Sequence, residues 1–106
     1  MSCELTTSRP DMIGEGDSLR MIGKGGRSCE GPLPPKERVR VLLRQDRRWI
    51  PDRTLADKEG TAEGFEFELT VLYRCSRGET KKVYVETRNL TTGRKAQSPR
   101  VVITCF

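Results

Sequence analysis

The sequence predicts a mainly β protein in which a small antiparallel sheet follows a flexible N-terminal arm. Three observations support this prediction. Apolar and polar residues alternate from Phe65 to Phe106, glycine and proline are concentrated in the first 35 residues, and 106 residues can build only one modest core. We therefore divide the chain into a flexible Gly/Pro-rich arm, residues 1–35, and a small β-rich domain, residues 36–106.

The clearest strand signal lies in residues 65–75. Every second side chain there is apolar, which places one row on the core face of a strand: Phe65, Phe67, Leu69, Val71, Tyr73 and Cys75. Gly78 suits a short hairpin loop, and Lys81–Asn89 returns with alternating valines. Arg100–Phe106 alternates in the same way. The pattern predicts a three-stranded C-terminal meander.

A probable fourth strand covers residues 37–44, where Arg38 and Arg40 alternate with two valines. The sequence does not identify its neighbour in the sheet. Residues 54–63 fit a short helix and a loop equally well. Trp49, which follows the fourth strand, is interpreted as a core anchor.

The arm combines six glycines and four prolines with no sustained apolar run. Within it, Ile22-Gly23-Lys24-Gly25-Gly26 resembles the Ile-Gly-x-x-Gly turn of KH-type RNA-binding domains, whose backbone clamps a nucleotide chain. In that family a helix follows the turn directly. Pro32, Pro34 and Pro35 would break a helix at the corresponding place here. The arm is therefore predicted to be flexible.

The spacing of the four cysteines matches no zinc-binding or redox motif, and the chain contains no histidine. The cysteines are Cys3, Cys29, Cys75 and Cys105. We expect no metal and no cofactor. Residues 1–11 are too polar for a secretory signal. We therefore expect an intracellular protein, cytoplasmic or nuclear, that is not secreted, has no membrane contact and keeps Cys75 and Cys105 as buried free thiols.

Catalytic parts are missing from the sequence. It has no histidine to act as a general base, no Walker-type phosphate loop and no serine elbow. Glu66 and Glu68 lie two residues apart on the solvent side of a strand, where ion pairing is the ordinary role. We expect a protein that is not an enzyme.

Positive charge gives the main functional signal. Residues 36–53 carry a net charge of +4 and residues 74–100 a net of +6, and the 20 basic residues of the chain include 14 arginines. Arginine binds phosphate through two parallel hydrogen bonds. The sequence thus predicts a small basic protein that binds RNA, or less readily DNA, such as a viral or regulatory accessory protein. The predicted nucleic-acid-binding residues are Arg38, Arg40, Arg77, Lys81, Lys82, Arg94 and Lys95.

Three alternatives remain open at this point. The chain also fits a protein-interaction module, immunoglobulin-like or another β-sandwich, that recruits a protein partner along an exposed sheet edge. A homodimer is a further way to cover such an edge. The positive charge also fits a role in solubility alone. Nucleic-acid binding requires the seven basic residues to share one face, whereas their dispersal favours the interaction module.

Overall fold

The computed structural model describes residues 2–106 and consists of two antiparallel sheets packed face to face. The first sheet has four strands: β1 (Ser2–Thr7), β2 (Asp11–Ile13), β3 (Arg20–Glu30) and β6 (Glu66–Arg74). The second has five strands: β4 (Glu37–Gln45), β5 (Arg53–Ala62), β7 (Thr80–Asn89), β8 (Lys95–Gln97) and β9 (Val101–Thr104). One 3-10 turn, Gly16–Ser18, is the only helical element among the described residues. The mainly β prediction is confirmed.

In each sheet one edge is divided between two shorter strands. In the first sheet β3 lies between β6 and the pair β1 and β2, and in the second β4 and β7 lie between β5 and the pair β8 and β9. Pro10 separates β1 from β2, and Pro99 separates β8 from β9. Proline suits such edges because it has no N–H to donate to a ladder. Within residues 2–106 no helix is long and apolar enough to cross a membrane.

The core lies between the sheets and follows the predicted alternation, except at Phe65, which precedes β6 and is 43% exposed rather than buried. Val39, Val41 and Leu43 of β4 and the valines of β7 pack against Met21 and Val71 of the first sheet. The predicted strands 37–44 and 81–89 are confirmed as β4 and β7, which pair antiparallel with each other. Residues 53–62 form a third strand beside them, β5, rather than a helix or a loop.

The prediction of a flexible arm is wrong. Met1 lies outside the described residues, and residues 2–30 supply three of the four strands of the first sheet. Gly23 and Gly25 face the core from β3: a Cβ on Gly23 would lie 2.5 Å from a methyl carbon of Val85, and one on Gly25 would overlap the Thr87 hydroxyl. These glycines therefore let two sheets approach closely, which is a packing role rather than a sign of mobility.

The predicted meander is also wrong in its neighbours, although its strands exist. β6 pairs with β3 along nine residues, from Ser28↔Glu66 to Arg20↔Arg74, and not with β7. The connection after Arg74 passes from one sheet to the other, and only β7 and β9 pair as predicted. Period-two alternation fixes which face of a strand is buried, but it does not fix which strand lies beside it.

The prediction of free thiols is wrong as well, because all four cysteines are paired. Cys3–Cys29 joins β1 to β3, and Cys75–Cys105 joins the segment after β6 to the segment after β9, thus linking the two sheets. Cysteine connectivity cannot be deduced from spacing alone. The prediction that Cys75 and Cys105 face the core is confirmed. Their Cα atoms lie 6.1 Å apart.

Candidate functional site

The loops of the sandwich gather at two opposite ends. One end, which we call the tryptophan end, contains loop residues 14–19, 46–52 and 75–79 together with Phe106. The other, the cleft end, contains loop residues 31–36, 63–65 and 90–94. A cleft of about 960 Å³ opens there between β1 and β8. Strand β7 connects the two ends.

The fold divides the seven predicted nucleic-acid-binding residues between these ends. Arg38, Arg40, Arg94 and Lys95 lie towards the cleft end, whereas Arg77, Lys81 and Lys82 lie at the tryptophan end. The seven residue steps of β7 from Lys82 to Asn89 place roughly 23 Å between the groups, at about 3.3 Å per residue. The seven residues do not form one cluster.

Carboxylates neutralise three of the seven. Arg40 binds Asp57 at 2.5 Å, Lys81 binds Glu79 at 3.2 Å, and Arg38 forms an ion pair with Glu59. Among residues 2–106 no carboxylate lies within 4.0 Å of the basic groups of the other four. Those four are Arg77, Lys82, Arg94 and Lys95. Of the seven predicted residues, two at each end thus have no carboxylate partner.

The most unusual surface residue is Trp49, in the loop between β4 and β5. The interpretation of Trp49 as a core anchor is wrong, because its side chain is 88% exposed and the adjacent Ile50 is 54% exposed. Its φ of 70° is the only positive φ of a non-glycine residue among the described residues. A positive φ is a true outlier for a bulky side chain, and such outliers gather at functional sites.

A polar network beneath the loop holds this conformation. The Tyr84 hydroxyl donates a 2.5 Å hydrogen bond to the Asp52 carboxylate, whose second oxygen accepts from the Arg47 amide at 3.4 Å. Arg44 donates to the Tyr84 oxygen at 3.2 Å and to the Asp52 carbonyl at 3.3 Å. The loop that carries Trp49 is therefore preorganised by its own base.

These contacts change the acidity of the groups involved. The hydrogen bond from Tyr84 lowers the pKa of Asp52 by more than burial raises it. Burial, and then the hydrogen bond to Asp52, raises the pKa of Tyr84. Arg100 also stacks over the Tyr84 ring, with its guanidinium carbon 3.8 Å from the ring centre. Tyr84 is thereby buried, although it projects from the outer face of the sheet.

The outer face of the second sheet holds a buried acid, Glu86. Its carboxylate accepts a 2.6 Å hydrogen bond from the Gln97 amide and pairs with Arg88. Burial raises the pKa of Glu86, but the hydrogen bonds from Gln97 and Arg88, together with the positive charges of Arg88 and Arg44, outweigh burial and the pKa is lowered. The basic strand face is thus largely balanced from within the protein.

Comparison with known proteins adds no identity. No family model matches the chain, and neither a curated protein nor a solved structure does. Within residues 2–106 there is also no group of three or more histidine, cysteine, aspartate or glutamate side chains placed to hold a metal ion. The functional argument therefore depends on the two ends of the sandwich.

Proposed function

We propose that this chain is a non-enzymatic binding module that docks a protein partner through its tryptophan end. The observation that carries the proposal is the exposed side chain of Trp49, presented by a loop with positive φ and fixed by the Tyr84–Asp52 hydrogen bond. Tryptophan is enriched among the few residues that dominate binding energy in protein interfaces, and a preorganised loop lowers the entropic cost of binding.

The arrangement of charge supports a protein partner over a nucleic acid. A phosphate backbone calls for a continuous basic track, whereas the unpaired cations among the seven predicted residues are divided between two distant ends. Tyr84 is buried under Arg100, so its ring is not available to stack on a base. Dispersed basic residues and an exposed aromatic anchor fit a protein interface better.

The finer fold assignment belongs to the same proposal. Two antiparallel sheets, with loops gathered at both ends, fit an immunoglobulin-like sandwich, in which end loops are common binding surfaces. Strand addition along the edge formed by β8 and β9 is the less favoured route. Ser98, Pro99 and Arg100 interrupt that edge, and proline discourages pairing with another strand.

The chemistry of the tryptophan end defines the partner. Arg77 and Lys82 carry unpaired charge at the end where Trp49 and Ile50 present apolar surface. A matching partner offers an apolar pocket rimmed by carboxylates, because complementary charge steers association towards the anchor. Two disulfides favour an oxidising compartment for this encounter over the intracellular location expected from the sequence.

Nucleic-acid binding is the second candidate, and one observation favours it. Trp49 can stack on a base at the same end where Arg77 and Lys82 have no carboxylate partner within residues 2–106. This version requires only a short single-stranded segment. It also requires a steep dependence of affinity on salt concentration.

Trp49 is the only tryptophan in the chain, so its fluorescence reports directly on the proposed site. We would immobilise the parent protein, the Trp49→Ser variant and the Leu33→Ser variant, and identify the proteins that each retains. Leu33 is a matched control, because it is 75% exposed but lies at the cleft end. We expect a protein retained by the parent and by Leu33→Ser but not by Trp49→Ser. Once purified, that protein should shift the Trp49 emission to the blue.

Equal retention by the parent and by Trp49→Ser would overturn the proposal. Titration of labelled single-stranded RNA and DNA at low and near-physiological salt tests the second candidate. Tight binding that Arg77→Ala/Lys82→Ala weakens would favour a nucleic acid as the partner instead.

A further inference from the structure

The cleft end carries a recess of the size typical of small-molecule sites. Its volume is about 960 Å³, and it lies between the exposed edges of β1 and β8. Its apolar lining includes Leu5 of β1, Ala96 of β8 and Pro35. Arg94 and Lys95 also line the recess. Two of the residues that the sequence predicted to bind nucleic acid therefore meet at a cleft.

Arg27 also lines this cleft, although it is only 1% exposed. It projects from β3 between the sheets, where its guanidinium donates to the carbonyl of Pro35 at 2.7 Å and to Glu37 at 2.6 Å. Two further hydrogen bonds reach the carbonyls of Ala62 and Gly64, at 3.4 and 3.2 Å. Four backbone and side-chain acceptors thus hold one buried cation in place.

One donor of Arg27 is left over. Its Nε is the only buried side-chain nitrogen or oxygen without a hydrogen-bond partner in the part of the chain that the structure describes. Buried groups of this kind are rare, and each calls for an explanation. A buried ion pair is seldom more stable than an apolar pair of similar volume. Arg27 is therefore poorly explained by stability alone.

The charges around the cleft favour an anion. Three basic residues line it, Arg27, Arg94 and Lys95, against two acidic ones, Glu4 and Glu37. The Glu37 carboxylate is already bound to Arg27. Arg94 and Lys95 have no carboxylate within 4.0 Å in residues 2–106, so their donors remain free for a ligand.

We propose that this cleft binds a small organic anion. A carboxylate or phosphate ester lies between Arg94 and Lys95, which supply charge-assisted hydrogen bonds, and the buried charge of Arg27 adds attraction from within. The apolar body of the ligand packs between Leu5 and Ala96. This site is separate from the Trp49 loop, and it does not depend on the proposed protein partner.

The test is a titration followed by amide chemical shifts in NMR spectra of the whole chain. The probes are benzoate, phenyl phosphate, inorganic phosphate and benzyl alcohol, which is a neutral analogue of the first. We expect saturable shifts at Leu5, Asn89 and Ala96, all of which line the cleft. Benzoate or phenyl phosphate should produce them and benzyl alcohol should not. Whichever of benzoate and phenyl phosphate binds more tightly identifies the preferred head group, and inorganic phosphate, which lacks the apolar body, should bind more weakly than phenyl phosphate.

Two variants of equal charge separate a built site from general attraction. Arg94→Ala/Lys95→Ala should weaken binding by at least about tenfold, because the loss of even one charge-assisted hydrogen bond has an effect of this size. Arg77→Ala/Lys82→Ala removes the same charge from the other end and should leave the affinity unchanged. Equal weakening by both, or no weakening by either, would overturn the proposal.

A third variant tests the apolar wall without changing the charge. Ala96→Leu enlarges a half-buried side chain on β8 and should reduce affinity for benzoate by about tenfold, with the circular dichroism of the parent retained. Unchanged affinity in this variant would contradict the proposed position of the ligand. Trp49→Ser should bind the anion as the parent does, so this test and the test of the protein partner fail independently.

Discussion

The two ends of the sandwich depart in opposite ways from the usual pattern of buried apolar and exposed charged side chains. At the cleft end a charged residue, Arg27, is buried between the sheets, and one of its donors lacks a partner. At the tryptophan end the largest aromatic residue, Trp49, is fully presented to solvent while the polar groups beneath it are bonded to one another. Neither the buried charge of Arg27 nor the exposed side chain of Trp49 favours stability. A binding function therefore explains these two residues better than a role in folding does.

The largest expected effect of a single substitution comes from breaking the buried ion pair at the cleft end. Glu37→Ala leaves the buried Arg27 charge without its carboxylate, and we expect a loss of about 3–5 kcal/mol in the free energy of unfolding. Urea denaturation measures this loss. Glu63→Ala is the control, because its ion pair with Lys36 is largely exposed and should contribute less than about 1 kcal/mol. A loss at Glu37 no larger than that at Glu63 would show that Arg27 is well solvated.

The two disulfides give the next comparison, one for each end. They close similar loops, with sequence separations of 26 and 30 residues, so chain entropy predicts about 3–4 kcal/mol for each. Cys105 and Cys29 are both buried, at 0% and 4% exposure, so a serine would bury a hydroxyl in either pair. We therefore expect Cys75→Ser/Cys105→Ser and Cys3→Ser/Cys29→Ser to lose similar amounts of stability. Denaturation of both double variants measures the two losses, and a difference of more than about 2 kcal/mol would contradict this expectation.

The fold could be predicted from the sequence only in part. Alternation identified the inward valines of β4 and the inward row of β6 because burial on one face leaves a period of two. Alternation could not reveal β3, the strand with which β6 pairs. Two of the core-facing positions of β3 are glycines, so no regular row of apolar side chains marks it as a strand. A central strand was consequently mistaken for a mobile arm.

The candidate sites were predictable only in part, for a related reason. Arg94 and Lys95 were found because exposed charge in a turn is visible in the sequence. Arg27 was missed because a lone arginine among glycines gives no sign of lying between two sheets. Trp49 was assigned to the core on its hydrophobicity, whereas its exposure follows from its place in the loop between β4 and β5. The hydrogen bond from Tyr84 to Asp52 spans 32 residues and has no local pattern.

Acid should loosen the tryptophan end. The hydrogen bond from Tyr84 lowers the pKa of Asp52 in the folded protein, so this carboxylate stabilises the fold above its unfolded pKa of about 4. That contribution is lost as the pH falls through the lower, folded pKa. We expect the fluorescence anisotropy of Trp49 to fall in this range while the core signals persist. Asp52→Asn should show the looser loop already at neutral pH, and an acid response identical to that of the parent would contradict the role of Asp52.

The smallest expected effect has the opposite sign, and it bears most directly on the difference between the two ends. Trp49→Gly removes a bulky residue from a backbone position with a φ of 70°, which glycine adopts without strain. The gain is partly offset because glycine makes the unfolded chain more flexible, so we expect a net stabilisation of roughly 0.5–1 kcal/mol. Trp49→Ser keeps a Cβ, and with it most of the strain, and should therefore gain less. If Trp49→Gly is the more stable protein and also loses the partner that the parent retains, the tryptophan is kept for binding at the expense of stability. A destabilised Trp49→Gly would instead mean that the indole packs against its own loop, and the exposed anchor would have to be sought elsewhere on the molecule.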